Sequence, residues 1–487
     1  MKTQSIITVA LIFVISAILI VGCAKQDAGK IPITTSSRDA RQLFLQGRDY
    51  FETLQAQESR QFFEQAVEKD PNFASAYLFL AFSQPNVKDF FMNLEKAKAL
   101  MDQVSDGEKW YILGVDAGVN GFPMKQREYY QKMVEAYPND ERAHNLLGNN
   151  YFGQQEYQKA IEAYNRALEI NPEFSQPYNQ LGYAYRFLEN YTEAEEAFKT
   201  YVELIPDDPN PYDSYAELLM KIGKYDESIE KYHQALDQNP NFVASFIGIA
   251  TNYNLKGEFD AARDKLRELQ EIARNDGERR AALFGMAVSY ADEGNLDQAL
   301  KMQEEQFAIA EKIPDPSLMA ADLAVMGNIL LEKGEYDKAL KQFNGALEII
   351  DASNLSEDVK NNTRRNHLYN TARVALKMKD FAVAKANAGE FKKQVEAINA
   401  PFQIKLSHEL AGMIALEEKK YDQALQEFQQ ANLQNPYNWY RMALAHKGIG
   451  DTEQVKECCN KSANYNSLNN INYAFCRHKA QNMLKGM

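Results

Sequence analysis

The sequence has little of what catalytic and metal sites are built from. Its 487 residues include only four cysteines, six histidines and two tryptophans, and the histidines are scattered. The segment HELAG, which begins at His408, starts like a zinc-binding helix, but Gly412 stands where the second histidine is required. No glycine-rich phosphate loop follows a strand, and no nucleophile elbow is present. We therefore predict a protein without enzyme activity, metal, cofactor or small-molecule substrate.

Basic runs are also missing. The chain has 54 lysines and arginines against 68 aspartates and glutamates, so its formal net charge is −14. Nucleic acids are bound largely through clustered positive charge, because each bound phosphate has to be neutralised. We therefore expect no nucleic-acid partner.

Long hydrophobic runs are confined to the N-terminus. Residues Ile6–Gly22 form an uncharged, mostly apolar stretch of 17 residues after Lys2. This is short for a membrane span and typical of the core of an export signal. The stretch ends in IVGC, which resembles a bacterial lipobox with Cys23 as the lipid acceptor. The resemblance implies a signal peptide over residues 1–22 that is removed; an uncleaved N-terminal anchor is the alternative.

Both alternatives place most of the chain outside the cytoplasm. Ala24 after the cysteine is similar to the signal for the outer membrane of a two-membrane bacterium, so we expect a lipid anchor at its periplasmic face. The following segment is polar and is interrupted by Gly29 and Pro32. Residues 23–39 are thus predicted to be the lipidated cysteine and a flexible tether.

The remaining chain repeats itself. Equivalent residues recur every 34 positions in its most regular part, as in Pro172, Pro206 and Pro240; Gly148, Gly182, Ala216 and Ala250; and Ala160, Ala194, Ser228 and Ala262. Within one unit, apolar residues follow one face of a helix, a polar turn intervenes, a second helical face follows, and proline ends the unit. One helix pair cannot bury its apolar face alone, whereas stacked pairs can.

These positions resemble the tetratricopeptide repeat family. Its pattern of an aromatic residue, Leu-Gly and Tyr, followed by Ala, Phe, Ala and Pro, is clear in the segment RAHNLLGNNYFGQQEYQKAIEAYNRALEINPEF. The resemblance implies an all-α, right-handed superhelical solenoid of about twelve helix pairs with a C-terminal capping helix. We expect a regular array over 40–278, a looser array over 279–467, and a capping helix and tail over 468–487.

A ligand of such a solenoid is expected in its concave groove. The residues one position along from the packed stripe form a second stripe about 100° around each first helix. Amides there could bond the backbone of an extended peptide, and a tyrosine could pack on its side chains. The alternative is a solvated polar face. The candidate groove residues are Asn145, Asn149, Asn179, Tyr183, Arg186, Asp213, Glu217 and Asn254.

Three cysteines lie near the C-terminus. Cys458 and Cys459 are neighbours on a predicted helix and point about 100° apart, so they are poorly placed to bond each other. A disulfide between Cys459 and Cys476 is possible in an oxidising compartment, and buried thiols acting as small apolar groups are the alternative. A zinc site with His478 would have a spacing that fits no known finger.

Function follows from this architecture. We predict a membrane-tethered, non-enzymatic scaffold that binds protein or peptide partners of the cell envelope in its groove. The alternative is a structural subunit of an envelope export or assembly complex.

Overall fold

The protein is a stack of helix pairs. A computed structural model describes residues 29–53, 55–84, 86–313 and 315–487; the predicted signal peptide and Cys23 lie outside these residues. The described residues form 25 α-helices and one 3-10 turn, Met101–Gln103, with no strand. Twelve consecutive pairs are followed by one last helix, which confirms the predicted all-α solenoid.

The first seven pairs contain mostly short helices. Their bounds are α1 Arg38–Glu52, α2 Ala56–Lys69, α3 Ala74–Phe82, α4 Val87–Leu100, α5 Asp106–Val119, α6 Pro123–Ala136, α7 Glu141–Gly153, α8 Tyr157–Ile170, α9 Ser175–Phe187, α10 Tyr191–Leu204, α11 Pro209–Lys221, α12 Tyr225–Gln238, α13 Val243–Lys256 and α14 Phe259–Ile272.

The later pairs contain longer helices, which accounts for much of their looser period. Their bounds are α15 Asp276–Glu293, α16 Leu296–Ala310, α17 Pro316–Lys333, α18 Tyr336–Asp351, α19 Glu357–Lys377, α20 Phe381–Ala397, α21 Pro401–Glu417, α22 Tyr421–Gln430, α23 Pro436–Ile449, α24 Thr452–Ala463 and the last helix α25 Ile471–Lys485.

Local sequence explains where these helices begin and end. Asp140 caps α7 by accepting a hydrogen bond from the backbone N–H of Ala143 at 2.9 Å. Proline occupies the first turn of α11, α17, α21 and α23, where its missing N–H costs nothing. Several turns inside a pair contain one residue with positive φ, such as Gly257 after α13.

Glycine allows the two helices of a pair to approach closely. A Cβ atom at Gly182 would lie 2.5 Å from the ring of Phe198 in the following helix. The same glycine–aromatic contact recurs in other pairs, as in Gly148 with Tyr164, Gly327 with Phe343 and Gly412 with Phe428. The sequence prediction that small residues mediate helix contact is therefore confirmed. These buried rings form the core between the helices of each pair.

First helices line the inner face of the coil. The first helices of neighbouring pairs lie against each other, as α13 against α15 and α19 against α21. The coil also closes on itself. The second pair (α3 and α4) contacts the ninth pair (α17 and α18), and the third pair (α5 and α6) contacts the tenth pair (α19 and α20). There the backbone N–H of Val87 donates to Asp315, and Ser356 donates to Asn120 at 2.9 Å. We call this set of contacts between successive turns of the coil the seam.

The segment predicted to be a flexible tether is bound to the repeats in its described part. The backbone N–H of Ile31 donates to Asp140 at 2.9 Å, and that of Thr34 donates to Glu108 at 3.0 Å. Lys30 forms an ion pair with Glu141 at 2.9 Å. Residues 29–37 are therefore an extended strap along the first helix pairs, because buried carboxylates at the starts of α5 and α7 accept from its backbone.

The last helix does more than cap the array. It packs on α24, as expected of a cap, but it also lies against α15, α17 and α23 on the inner face. Ile471 and Phe475 share an apolar cluster with Val288 and Ile329. Part of the inner face is therefore occupied by the chain's own C-terminal segment. No helix in the described part of the chain combines the length and apolar character needed to cross a membrane.

Candidate functional site

The predicted groove residues lie on the inner side of the first helices, but most of them bond to the next helix pair. Asn179 donates to Asn210 at 3.4 Å, and Tyr183 donates to Glu217 at 2.8 Å. Arg186 also donates to Glu217, at 3.0 Å. Burial, with the charge of Glu217 alongside, raises the pKa of Tyr183 well above its usual value.

The neighbouring predicted residues also form hydrogen bonds with the next helix pair. Asp213 accepts a hydrogen bond from Ser245 at 2.7 Å, and Asn254 accepts one from Ser289 at 2.8 Å. Asn145 donates to Gln176 at 3.3 Å.

Asn149 is the exception, because it is exposed and bonds within its own pair, where it accepts from Tyr164 at 2.9 Å. The expectation that this stripe would offer free amides to a peptide is thus corrected for the regular repeats. There the stripe joins each pair to the next.

Beside α25, the inner face of the C-terminal half contains a cleft. A cleft of about 250 Å³ lies between α17, α19, α21, the start of α23 and the start of α25. We call it the inner cleft. Amides, aromatic rings and two arginines dominate its lining: Asn328, Tyr369, Asn370, Arg373, Phe402, Leu406, Glu409, Asn432, Asn435, Tyr437, Arg441, Asn470, Asn472 and Tyr473.

Arg373 carries a positive charge that no carboxylate among the described residues neutralises. Its Nη1 donates to the amide oxygens of Asn328 at 2.8 Å and Asn370 at 3.3 Å. Its Nε is buried and has no hydrogen-bond partner. The guanidinium carbon lies 5.4 Å from the centre of the Tyr369 ring. A cation fixed in this way has donors left for an anionic or carbonyl ligand.

A buried ion pair forms the floor of the inner cleft. Glu409 is 1 % exposed and lies 2.7 Å from the Nη1 of Arg441. It also accepts hydrogen bonds from Tyr369, Asn435 and Asn438. Burial opposes ionisation of Glu409, but Arg441 and these donors outweigh it and hold its pKa below its usual value. The floor is therefore rigid and charged, and its carboxylate is already satisfied by protein groups.

Several amides of the inner cleft have unused hydrogen-bonding capacity. Among the described residues, no partner accepts from the side-chain nitrogens of Asn328, Asn370, Asn470 and Asn472. An extended peptide carries both N–H and C=O groups that such amides can bond. Amide nitrogens that lack an acceptor, beside a cation that lacks a carboxylate, make the inner cleft a part of the inner face that can accept a ligand.

The sequence prediction did not include these residues of the inner cleft. The rule used there, which takes the residue one position after the packed stripe of a first helix, nevertheless finds two of them. Asn328 follows the packing glycine Gly327 as Tyr183 follows Gly182. Arg373 follows the buried Ala372 in the corresponding way. The irregular spacing of the later repeats hid the equivalence. The contribution of Asn470 and Asn472 could not be found by any rule applied to the repeats, because they lie at the start of α25, outside the helix pairs.

The predicted disulfide between Cys459 and Cys476 does not form in the structure, where Cys458, Cys459 and Cys476 are free and buried. Cys458 and Cys459 belong to the apolar cluster between the last pairs, whereas Cys476 donates to the backbone carbonyl of Tyr473 at 3.2 Å. They act as the small apolar groups of the alternative interpretation. The described residues contain no group of three side chains able to hold a metal ion.

Comparisons with solved structures give similarity to other repeat proteins over part of the chain. A tetratricopeptide repeat protein from Parabacteroides merdae ATCC 43184 is 16% identical, with a TM-score of 0.36 over 56% of this chain and 94% of that one. MamA from Desulfovibrio magneticus RS-1, from residue 41 to its end, is 16% identical, with a TM-score of 0.31 over 35% and 96%. YrrB, described as a TPR protein with an unusual peptide-binding site, is 21% identical, with a TM-score of 0.26 over 40% and 96%. Comparison with curated protein sequences gave no match.

Family models match directly in the middle of the chain. Models described as tetratricopeptide repeat match residues 141–174, 163–196, 216–277 and 278–352. These ranges cover pairs whose glycine–aromatic contacts and helix bounds are given above. The chain belongs to the tetratricopeptide repeat family.

Proposed function

We propose that this protein is a binding scaffold without chemistry of its own, and that its inner cleft holds an extended, acidic segment of a partner protein. Its repeats are an architecture used for protein interaction. The observation that carries the proposal is Arg373, a fixed guanidinium with a buried, unpartnered Nε and no carboxylate partner among the described residues.

The chemistry of the inner cleft defines the segment that it fits. An aspartate or glutamate side chain would neutralise Arg373, and a charge-assisted hydrogen bond of this kind is stronger than a neutral one. Asn370 and Asn472 would bond the peptide backbone on either side of that residue. Phe402, which is 39% exposed, offers an apolar surface for a neighbouring side chain of the segment.

Peptide selection against the full-length protein tests this proposal. Selected peptides should be enriched in aspartate and glutamate, and Arg373→Gln should weaken their binding about tenfold or more, as loss of a charged hydrogen bond requires. Arg364→Gln is the matched control, because Arg364 lies on the same helix but pairs with Asp351 and Glu357 outside the cleft. Equal affinities for the wild type and Arg373→Gln would reject the inner cleft as the binding site.

We also propose that the scaffold is tethered by lipid at Cys23 and acts at the periplasmic face of an outer membrane. The support is the apolar stretch Ile6–Gly22 that ends at a lipobox-like IVGC. Radioactive palmitate should label the protein in intact cells, and Cys23→Ala should abolish the label and release the protein from membranes. Labelling that persists in Cys23→Ala would contradict the anchor.

A further inference from the structure

A second cleft lies at the seam, away from the inner face. It forms where the turns after α9 and α11 meet the α22–α23 loop and the end of α24, and its volume is about 440 Å³. We call it the seam cleft. The charged and aromatic part of its lining consists of three cations, one carboxylate and four rings: Arg186, Lys221, Lys461, Glu189, Phe187, Tyr191, Trp439 and Tyr465.

Lys221 brings a positive charge that no carboxylate among the described residues pairs with. Its Nζ lies 3.9 Å from the centre of the Tyr465 ring. Burial, and then the charge of Arg186, lower the pKa of Lys221 to about 8. The amine is therefore mostly protonated at neutral pH but poorly solvated, and a bound anion would stabilise its charge.

Arg186 adds a second donor on the same wall. Its Nη1 donates to Glu217 at 3.0 Å, but its Nε is buried without a hydrogen-bond partner. A buried donor left without a partner costs free energy, which an acceptor entering from the cleft would recover. Two incompletely satisfied cations from α9 and α11 thus line one cavity.

The aromatic walls are fixed before any ligand enters. Phe187 stacks on Tyr157 with ring centres 5.0 Å apart, and the indole N–H of Trp439 donates to the carbonyl of Leu433 at 2.8 Å. The protein's own cations already lie over these rings, with Arg186 5.1 Å from the centre of Phe187 and Lys461 4.3 Å from that of Trp439. The cleft is therefore unsuited to a cationic ligand, which aromatic rings alone would attract.

We propose that the seam cleft binds an organic acid, with its carboxylate between Lys221 and Arg186 and its apolar or aromatic body against Phe187, Trp439 and Tyr465. The volume of the cleft is in the range of small-molecule sites. The aromatic walls favour a carboxylate with an apolar body over inorganic phosphate. This site is separate from the inner cleft, so either proposal can fail without the other.

A titration of the full-length protein with 3-phenylpropionate, monitored by ligand-observed nuclear magnetic resonance, tests the site. Saturable binding is expected, with a Kd of about 1 mM, as befits so small a probe. Lys221→Met should weaken binding at least about tenfold, since it removes a charged hydrogen bond and keeps an unbranched apolar chain only one atom shorter. Lys224→Met is the matched control, because Lys224 is exposed and pairs with Glu227 outside the cleft.

The neutral analogue 3-phenylpropionamide separates recognition of the carboxylate from simple apolar binding. It should bind at least about tenfold more weakly than the acid. Absence of saturable binding by the acid, equal binding of acid and amide, or unchanged binding by Lys221→Met would each overturn the proposal.

A chemical readout on the wild type keeps the test independent of any variant's folding. Reductive methylation at pH 8 followed by peptide mass mapping should modify Lys221, and saturating 3-phenylpropionate should protect it while leaving Lys224 unprotected. Binding should weaken as the pH rises above about 8, because Lys221 loses its proton while Arg186 keeps its charge. The other titratable side chains facing Lys221 in the cleft are Glu189, Tyr191, Lys461 and Tyr465. Unprotected Lys221 at saturation would contradict the site.

The carboxylate could come from a free acid or from the C-terminus of a peptide. Acetyl-Gly-Phe and its C-terminal amide distinguish the two sources. Binding of acetyl-Gly-Phe more tightly than 3-phenylpropionate, with loss of binding for its amide, would identify a peptide terminus as the ligand. Binding of 3-phenylpropionate alone would identify a free acid.

Discussion

Asp213 shows how fully the fold itself uses the inner stripe of the regular repeats. It is 4% exposed and accepts from Ser245 in the next pair at 2.7 Å. Burial, and then the charge of Glu217, raise its pKa from 3.8 to about 8. The folded protein therefore holds the proton of the Asp213 carboxyl group more tightly than the unfolded chain does. The contribution of Asp213 to the free energy of unfolding is largest below pH 3.8 and falls as the pH rises from 3.8 to about 8.

Asp213→Asn should therefore stabilise the protein at neutral pH. The amide keeps an acceptor for Ser245 and has no charge to bury, so we expect the free energy of unfolding at pH 7.5 to rise by about 1–2 kcal/mol in urea unfolding. The gain should shrink as the pH falls from about 8 towards 3.8, because the unfolded wild-type chain then also binds the proton that the folded protein keeps on Asp213. Asp237→Asn, at an exposed position of α12, is the control and should change nothing measurable. A destabilised Asp213→Asn at neutral pH would show that the carboxylate is needed in its charged form.

At the scale of elements, α25 is the part of the fold that departs most from a simple repeat array. Its apolar side joins the clusters of α15 and α17, and its polar side forms ion pairs with them. Arg477 lies 2.7 Å from Asp292, and the two side chains are 14% and 6% exposed. A buried carboxylate that loses the arginine paired with it is costly, so this pair orders α25 on the inner face.

Arg477→Met should destabilise the protein at pH 7 by about 2–4 kcal/mol, because Asp292 would be left charged and buried. Burial already raises the pKa of Asp292, despite Arg477. The loss should thus diminish as the pH falls and Asp292 takes up a proton. Urea unfolding at several pH values measures both effects, with Gln481→Met at an exposed position of the same helix as the control. A loss that does not vary with pH would argue that packing, rather than charge, holds α25.

For the whole molecule, the seam turns an open solenoid into a closed coil. Gln155 donates to Asn432 at 3.1 Å, Tyr157 to Gln434 at 2.9 Å, and Tyr225 to Asn466 at 3.1 Å. These bonds join helix pairs that lie on successive turns of the coil. Repeat proteins otherwise depend on contacts between neighbouring pairs, so few side chains separate the closed coil from an open one.

The double variant Tyr157→Phe with Tyr225→Phe should loosen the seam without unfolding the repeats. Each lost hydrogen bond is worth about 1 kcal/mol, too little to melt a helix pair but enough to raise local opening several-fold. We expect unchanged helicity and faster hydrogen exchange around residues 432–434 and 464–466. Tyr178→Phe is the matched control, because its hydroxyl bonds no described residue. Unchanged exchange in the double variant would show that the seam does not depend on these bonds.

Much of the fold could be predicted from the sequence because it depends on neighbours along the chain. The glycine–aromatic contact of Gly182 with Phe198 spans one helix pair, and its recurrence predicts both the pair and the stack. The return of α25 to α15 could not be predicted. It depends on the curvature of the whole coil, to which no local pattern refers. The strap at residues 29–37 was missed for a similar reason, since its acceptors Asp70, Glu108 and Asp140 lie far along the chain.

The sequence predicted where the candidate groove side chains lie, but not whether they are free to bind a ligand. The sequence places Tyr183 and Arg186 on the inner side of α9, and the structure has them there. The prediction that they are free to bind a peptide depended on what the next pair supplies. Glu217 accepts hydrogen bonds from the hydroxyl of Tyr183 and from the Nη1 of Arg186, so neither of these groups is free to bind a peptide on the inner face. In the later repeats Arg373 occupies the equivalent stripe without such a partner.

The central claim is that a partner segment binds the inner cleft and not the stripe of the regular repeats. Hydrogen–deuterium exchange of the full-length protein, with and without a saturating selected peptide, tests it most directly. We predict protection at residues 366–376, 402–409 and 470–473, with residues 179–186 and 213–217 unchanged. Protection of residues 179–186 and 213–217, with the inner cleft unchanged, would contradict the account.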